Sequence, residues 1–388
     1  MTAIYLDHAA TTPVRPEVLA AMLPFFNTSW GNPSSSHRFG RAARAGLEQG
    51  KREVAEAIGA EPNQVIFTSG GTEADNLALI GAALAARSHG RPMHVVTTAI
   101  EHKAVLAAAH AVVKLGGEET VLGVDDGGTV RFDELDAALS REPALVSVMW
   151  VNNEVGAVQP MTEIGARCSE AGAPLHSDAV QAFGKLPIDL AACGCRLVSI
   201  SGHKIGAPKG IGALIVRDRR IVDAIIHGGG QQYGIRPGTE NVAGAVAMGC
   251  AARLARQELE AESVRIGGLR DALRAGLVGT VPDIVVHDTG VRAPHILSAS
   301  VPGADAEALL MHLDLAGIAC SGGSACSTGA VEPSHVLTAM GVERSLALGT
   351  IRFSLGHDTS AADIDGVIQA FPAIVARVRQ LTSSLGRA

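Results

Sequence analysis

None of the six cysteines, Cys168, Cys193, Cys195, Cys250, Cys320 and Cys326, stands in a Cys-x-x-Cys pair. A zinc knuckle and a thioredoxin-like redox couple are therefore not indicated, no other metal-ligand set is read, and the thiols read as reduced. The start, Met1-Thr2-Ala3-Ile4-Tyr5-Leu6-Asp7, lacks the basic and apolar segments of a signal peptide. No apolar run is long enough to cross a bilayer; that over 145–151 is interrupted by Ser147. There is no basic excess either, since the formal net charge is −7, which argues against an extended nucleic-acid surface. Internal repeats and low-complexity segments are also missing. These absences lead to the expectation of a soluble cytoplasmic protein with no direct nucleic-acid or membrane partner.

What is present is core-forming material. At 388 residues, with 47% hydrophobic and 18% charged residues, the chain can bury one large domain and one smaller one. Short β-branched runs at 64–68, 94–98, 145–151, 175–177, 196–200 and 213–216 predict strands. Helical patterns at 72–86, 102–115, 161–171 and 239–277 alternate with them, as in a largely parallel sheet covered on both faces. The last of these helices turns strongly charged over 253–262, as expected where a helix leaves one domain for another. Beyond it, strands at 284–286, 296–301 and 350–354 and a helix at 306–316 suggest a compact α+β domain, with a boundary near residue 255.

Ligands of open parallel sheets bind outside the carboxyl ends of the strands, and that is where the polar clusters fall. After the first run comes Thr68-Ser69-Gly70-Gly71-Thr72-Glu73, opening a helix whose N-terminus suits a phosphate, although an ordinary capped start reads the same way. After the second comes Glu101-His102-Lys103, where an imidazole could stack on a ring and shuttle protons. After the third comes Asn152-Asn153-Glu154, and after the fourth Asp178 and Gln181. Asp178 suits a pyridine nitrogen or, more blandly, a helix cap. After the fifth comes Ser201-Gly202-His203-Lys204. A lysine desolvated at a buried strand end has a lowered pKa and can condense with an aldehyde, while Ser201 and His203 can bind phosphate. Together these ends supply what pyridoxal phosphate (PLP) requires.

With Tyr5-Leu6-Asp7-His8-Ala9-Ala10-Thr11-Thr12-Pro13, Gly31-Asn32-Pro33-Ser34-Ser35, Gly228-Gly229-Gly230-Gln231, Gly238-Thr239, Gly322-Gly323-Ser324-Ala325-Cys326 and Ile351-Arg352-Phe353-Ser354, the chain resembles the IscS/NifS-type cysteine desulfurases of aminotransferase class V, nearly end to end. The resemblance implies an α/β, fold-type I PLP-dependent transferase. Its large domain (13–255) would hold a mostly parallel sheet between helices. A smaller α+β domain (1–12 and 256–388) would carry the catalytic cysteine loop and a carboxylate-binding arginine. It further implies that Lys204 holds PLP, Asp178 pairs with the ring nitrogen, His102 stacks on the ring and Gln181 contacts the ring hydroxyl. Gly71, Thr72, Ser201 and His203 would hold the phosphate, with Thr239 from a second subunit, so a homodimer is expected. Asn153 and Arg352 would bind the substrate carboxylate, for which arginine's planar fork is suited.

Cys326, in a glycine-rich loop, is the expected nucleophile, though without the lysine constellation it reads as a cysteine in a tight turn. Selenocysteine lyase-like relatives usually carry a shorter cysteine loop. The expected reaction takes L-cysteine to L-alanine and leaves a persulfide on Cys326 for a sulfur-acceptor protein such as an iron–sulfur scaffold, with tRNA or DNA sulfur modification open. Tyr233, Gly206 and Gly322 depart from the family pattern without removing a reacting group. Two rivals remain at this level. A class V aminotransferase or lyase would leave the Cys326 loop without a role, and an inactive acceptor-binding scaffold would leave Lys204, Asp178, His102 and Arg352 without one.

Overall fold

A computed structural model describes residues 3–322 and 332–385, with side chains to Thr382. From the N-terminus, β1 (Ile4–Tyr5) leads to α1 (Pro16–Met22), α2 (Pro24–Asn27) and α3 (Arg38–Ile58). Strands and helices then alternate as β2 (Val65–Thr68), α4 (Gly71–Ser88), β3 (His94–Thr98), α5 (Lys103–Lys114), β4 (Glu118–Leu122), α6 (Phe132–Leu139) and β5 (Leu145–Ser147). They continue through α7 (Met161–Glu170), β6 (Leu175–Asp178), α8 (Leu190–Cys193), β7 (Leu197–Ser201) and β8 (Gly212–Val216) to α9 (Val242–Thr280). The remainder holds β9 (Val285–Val286), β10 (Ile296–Ser300), α10 (Ala306–Leu315), β11 (Ile318–Ala319), β12 (Ser321–Gly322), α11 (His335–Ala339), α12 (Arg344–Ala347), β13 (Thr350–Ser354) and α13 (Ala361–Leu385).

The main sheet has the order β2-β8-β7-β6-β5-β3-β4, and only β8 runs against the rest. Strands β2, β3 and β5 to β8 are buried along their whole length, so their near-continuous apolar runs follow from helices covering both faces. Because the other six strands share a direction, their carboxyl ends open on one edge, and all five predicted clusters lie there. β5 is shorter than the expected 145–151. Beyond Ser147 the backbone stays bonded to its neighbour irregularly, Val148 N to His176 O at 3.1 Å and Trp150 N to Asp178 O at 2.9 Å.

The second sheet, β12-β13-β10-β9, is antiparallel, and β1 pairs with β11 nearby. Its core gathers Leu6 with Leu297, Leu309, Phe353 and Phe371. α9 serves both halves: Val242 to Ala252, Val246 excepted, are buried at its start, whereas Ile266, Leu273 and Leu277 are buried near its end. The charged stretch between them crosses from one core to the other. Among the described residues, no helix is long and apolar enough to cross a membrane.

Candidate active site

Lys204 ends a single 3₁₀ turn that follows β7 directly, so the buried strand delivers it to the sheet edge. Its Nζ donates to the carbonyls of Ala9 at 2.6 Å and Ala10 at 2.7 Å. Burial first, and then Arg352, lower its pKa to about 8, against the pull of Asp178 and Asp7. An amine with that pKa is neutral in about one molecule in ten at pH 7, where an ordinary lysine is neutral in fewer than about one in a thousand.

Asp178 is the last residue of β6 and is buried. Its Oδ1 accepts from Val180 N at 2.9 Å, so the capping contact is made without using the whole carboxylate. Burial raises its pKa, while His102 and Lys204 act the other way. His102 caps α5 by accepting from Ala104 N at 3.1 Å through Nδ1. One ring nitrogen of His102 and one carboxylate oxygen each of Asp75 and Asp178 lie within 4.8 Å of one another. Partial desolvation lowers the His102 pKa against the pull of Asp178, keeping the ring available in its neutral form.

Asp75 of this trio and Glu101, next to His102 in the chain, are buried completely, and burial raises the pKa of both. Glu101 accepts from Thr98 Oγ1 and Met149 N, both at 2.8 Å. His176 bridges Ser147 Oγ and Ser199 Oγ at 2.8 and 2.9 Å and lies 3.8 Å from Asp75. Asp75 and Glu101 stand inside motifs visible in the sequence, but their burial, which gives them significance, is not.

The cradle forms where α4 begins against the end of β7. Gly70 caps α4 with no side-chain hydrogen bond, which leaves the first-turn amides open to a ligand. A Cβ on Gly71 would come within 2.9 Å of Val180 Cγ2 and 3.7 Å of Ser201 Cβ, so a larger residue would crowd this corner. Ser201 is buried, and His203 Nδ1 lies 3.1 Å from Thr11 Oγ1. Burial and Lys204 lower the His203 pKa to about 4. Thr72 is exposed in the first turn of α4. Thr239 is exposed too, and among the described residues no hydrogen bond joins it to the cradle of its own chain.

Arg352, in the middle of β13 and buried, donates from Nη1 to the backbone carbonyl of Asn153 at 2.7 Å and from Nη2 to Asp7 Oδ1 at 2.8 Å. Among the described residues, its Nε is buried without a partner. Arg352 and Asn153 thus lie together, joined through the Asn153 backbone, and Asp7 is a further member whose contact the sequence did not disclose. Gln181 is buried, with Nε2 donating to Ala9 O at 2.9 Å and Oε1 lying 3.2 Å from His295 Nε2. Cys326 lies outside the described residues. The strand leading to it, β12, pairs Ser321 with Arg352. Burial pushes the neighbouring Cys320 thiol up to about 12, which keeps it protonated.

These residues fit PLP. Buried Asp178 has spare carboxylate capacity for a protonated ring nitrogen, Lys204 offers an amine of lowered pKa, and the α4 amides with Ser201 suit a phosphate. Arg352 Nε, buried and unpartnered, suits a carboxylate oxygen of the substrate.

Residues 4–367 match the aminotransferase class V family. The chain is 42% identical over 380 residues to "Cysteine desulfurase IscS" of Dictyoglomus turgidum, covering 98% of this chain and 96% of the relative. A solved "NIFS-LIKE PROTEIN" superimposes with a TM-score of 0.90 at 33% identity, over 97% of this chain and 100% of that one. A structure described as "SspA in complex with cysteine" superimposes with a TM-score of 0.80 at 32% identity, over 90% of this chain and 98% of that one.

Proposed function

The chain belongs to the aminotransferase class V family, among its PLP-dependent cysteine desulfurases, and from that premise we propose that it converts L-cysteine to L-alanine with transfer of the sulfur to Cys326. The observation that carries this reading is the pairing of Lys204, an amine of pKa about 8, with buried Asp178 on one sheet edge. PLP, when bound, supplies a sink for the electron pair left at the substrate Cα.

Lys204 would hold the cofactor through Nζ, and the same amine takes the Cα proton and returns it to the substrate carbon skeleton. Asp178 would keep the ring nitrogen protonated, His102 would pack against the ring and Gln181 would donate to the ring oxygen. Gly71, Thr72, Ser201 and His203 would hold the phosphate, joined by Thr239 of a second copy. Arg352 and Asn153 orient the substrate carboxylate. The Cys326 thiolate bonds to the substrate sulfur as the carbon–sulfur bond breaks, and a proton delivered to that carbon completes alanine.

The same reading divides the chain into a large domain (13–255) and a small one (1–12 and 256–388), supported by the two cores that α9 joins. It places the enzyme in the cytoplasm, where reduced thiols persist. A sulfur-acceptor protein, an iron–sulfur scaffold before others, takes the persulfide.

Cys326→Ser tests the assignment: the purified variant should keep the visible absorbance of bound PLP and lose sulfide release from L-cysteine under reductant. Full desulfurase activity in the variant would remove Cys326 from the mechanism. A keto acid in place of alanine would point to an aminotransferase instead.

A further inference from the structure

Gln181 comes from the main sheet's edge and His295 from the residue just before β10 in the second sheet, 114 positions later. The carboxamide of Gln181 has two protein partners, and they fix which way it points. Ala9 O can only accept, so the nitrogen of the amide faces it at 2.9 Å. Oε1 therefore faces His295 Nε2 at 3.2 Å, and His295 must carry its proton on Nε2 to bond there. Nδ1 then holds the bare lone pair, and it is the ring nitrogen that is buried with no partner among the described residues. His295 is 2% exposed and its backbone is anchored by Leu355 N at 2.9 Å. Burial, with Lys185 as the next contributor, holds the ring far from protonation, so the tautomer is not lost to a second proton.

One consequence follows for the site. With one N–H on Ala9 and Oε1 turned to His295, the amide keeps its second N–H free for a ligand. We propose that His295 is a positioning residue: by holding Gln181 Oε1 on its own side it keeps an N–H of Gln181, rather than the carbonyl, turned toward the ring oxygen of PLP, which favours that oxygen as an anion. This rests on the reading that Gln181 meets the ring oxygen. Without His295 only Ala9 O opposes rotation of the amide, and each rotated state presents the carbonyl to the ring oxygen, replacing attraction with repulsion.

The readout is the pH midpoint at which bound PLP changes its visible absorption. That midpoint falls when the oxygen anion is stabilised, and it is independent of turnover. His295→Leu should raise it by about one unit, the size expected for losing a hydrogen bond to a charged group. His295→Gln, whose amide can place an N–H where Nε2 stands, should restore the parent midpoint. Gln181→Ala should shift it in the same direction, and adding His295→Leu to Gln181→Ala should change nothing more, because the two act through one contact. His295→Asn, whose amide is too short to reach Gln181, should behave as His295→Leu and serves if the leucine variant does not fold. A shift in Gln181→Ala without one in His295→Leu or His295→Asn would overturn the role of His295 and leave that of Gln181 standing. No shift in Gln181→Ala would instead remove the ring-oxygen contact on which the inference rests.

Discussion

Glu101 is placed where an ionised carboxylate is costly, between the ends of β3 and β5, with Oε2 lacking any partner among the described residues. Burial moves its pKa from 4.5 up to about 8, although the bonds from Met149 N and Thr98 oppose the shift. The folded protein therefore keeps a proton through a range where the unfolded chain has lost it. Stability contributed by this proton is complete below the unfolded pKa of 4.5 and is lost as pH rises toward about 8. The displacement caps the loss at about 5 kcal/mol. Glu101→Gln keeps an acceptor for Thr98 and Met149 and cannot ionise. Its unfolding midpoint should fall less between about pH 5 and pH 8 than the parent's, leaving it the more stable of the two at the upper end. Parallel curves from thermal melts across that window would show that Glu101 is not the proton holder.

Among the elements, α3 and α9 meet backbone to backbone. A Cβ on Gly50 would lie 2.4 Å from Ala245 O, and one on Gly249 would lie 2.7 Å from Gly50 Cα. Gly50→Ala should destabilise by about 1–3 kcal/mol because the helices must part. Gly268→Ala, on α9 with nothing within 4 Å of its Cβ, should stabilise by up to about 1 kcal/mol through helix propensity. Denaturant midpoints of the two variants should move in opposite directions, and movement in the same direction would contradict the close crossing. The same contact explains why α3 was not legible in the sequence. The first turns of its buried stripe rest on Gly40, Ala43, Gly46 and Gly50, which carry no strong hydrophobic signal, and the larger apolar groups Leu47, Val54 and Ile58 come from the middle of the helix onward. β4 was hidden because its Glu118-Glu119 start is exposed at a sheet edge, and α13 because Pro372 interrupts it. Nine strands were legible: six in the main sheet, made of short apolar runs followed in nearly every case by the polar residues of the site, and β9, β10 and β13 in the second sheet. Long-range partners were not legible at all: Asp7 reaches Arg352 across 345 positions, and nothing local announces such a pair.

At the scale of the whole molecule, one run of exposed apolar side chains falls where α1, α2 and α3 follow one another. Leu19, Leu23, Phe26 and Trp30 are about half exposed or more, and Trp30 stacks on Phe39 at 5.5 Å between centroids. Large apolar groups left to water in this number suit a contact with a second copy of the chain. Thr239 supplies the independent reason: it is exposed and unconnected to its own cradle, as a residue completing a partner's phosphate site would be. The two features make separable predictions. Phe26→Asp combined with Trp30→Asp should give a folded monomer by native mass measurement, and that monomer should retain PLP poorly because each phosphate site lacks its contribution from the other chain. Thr239→Ala should leave the dimer intact and weaken PLP retention by about tenfold or more, the loss of one hydrogen bond to a charged group. No disulfide should be needed for assembly, so reductant should not change the mass. A monomer that holds PLP as tightly as the parent would show that each chain completes its own site. A dimer surviving the paired aspartates would place the interface elsewhere on the molecule.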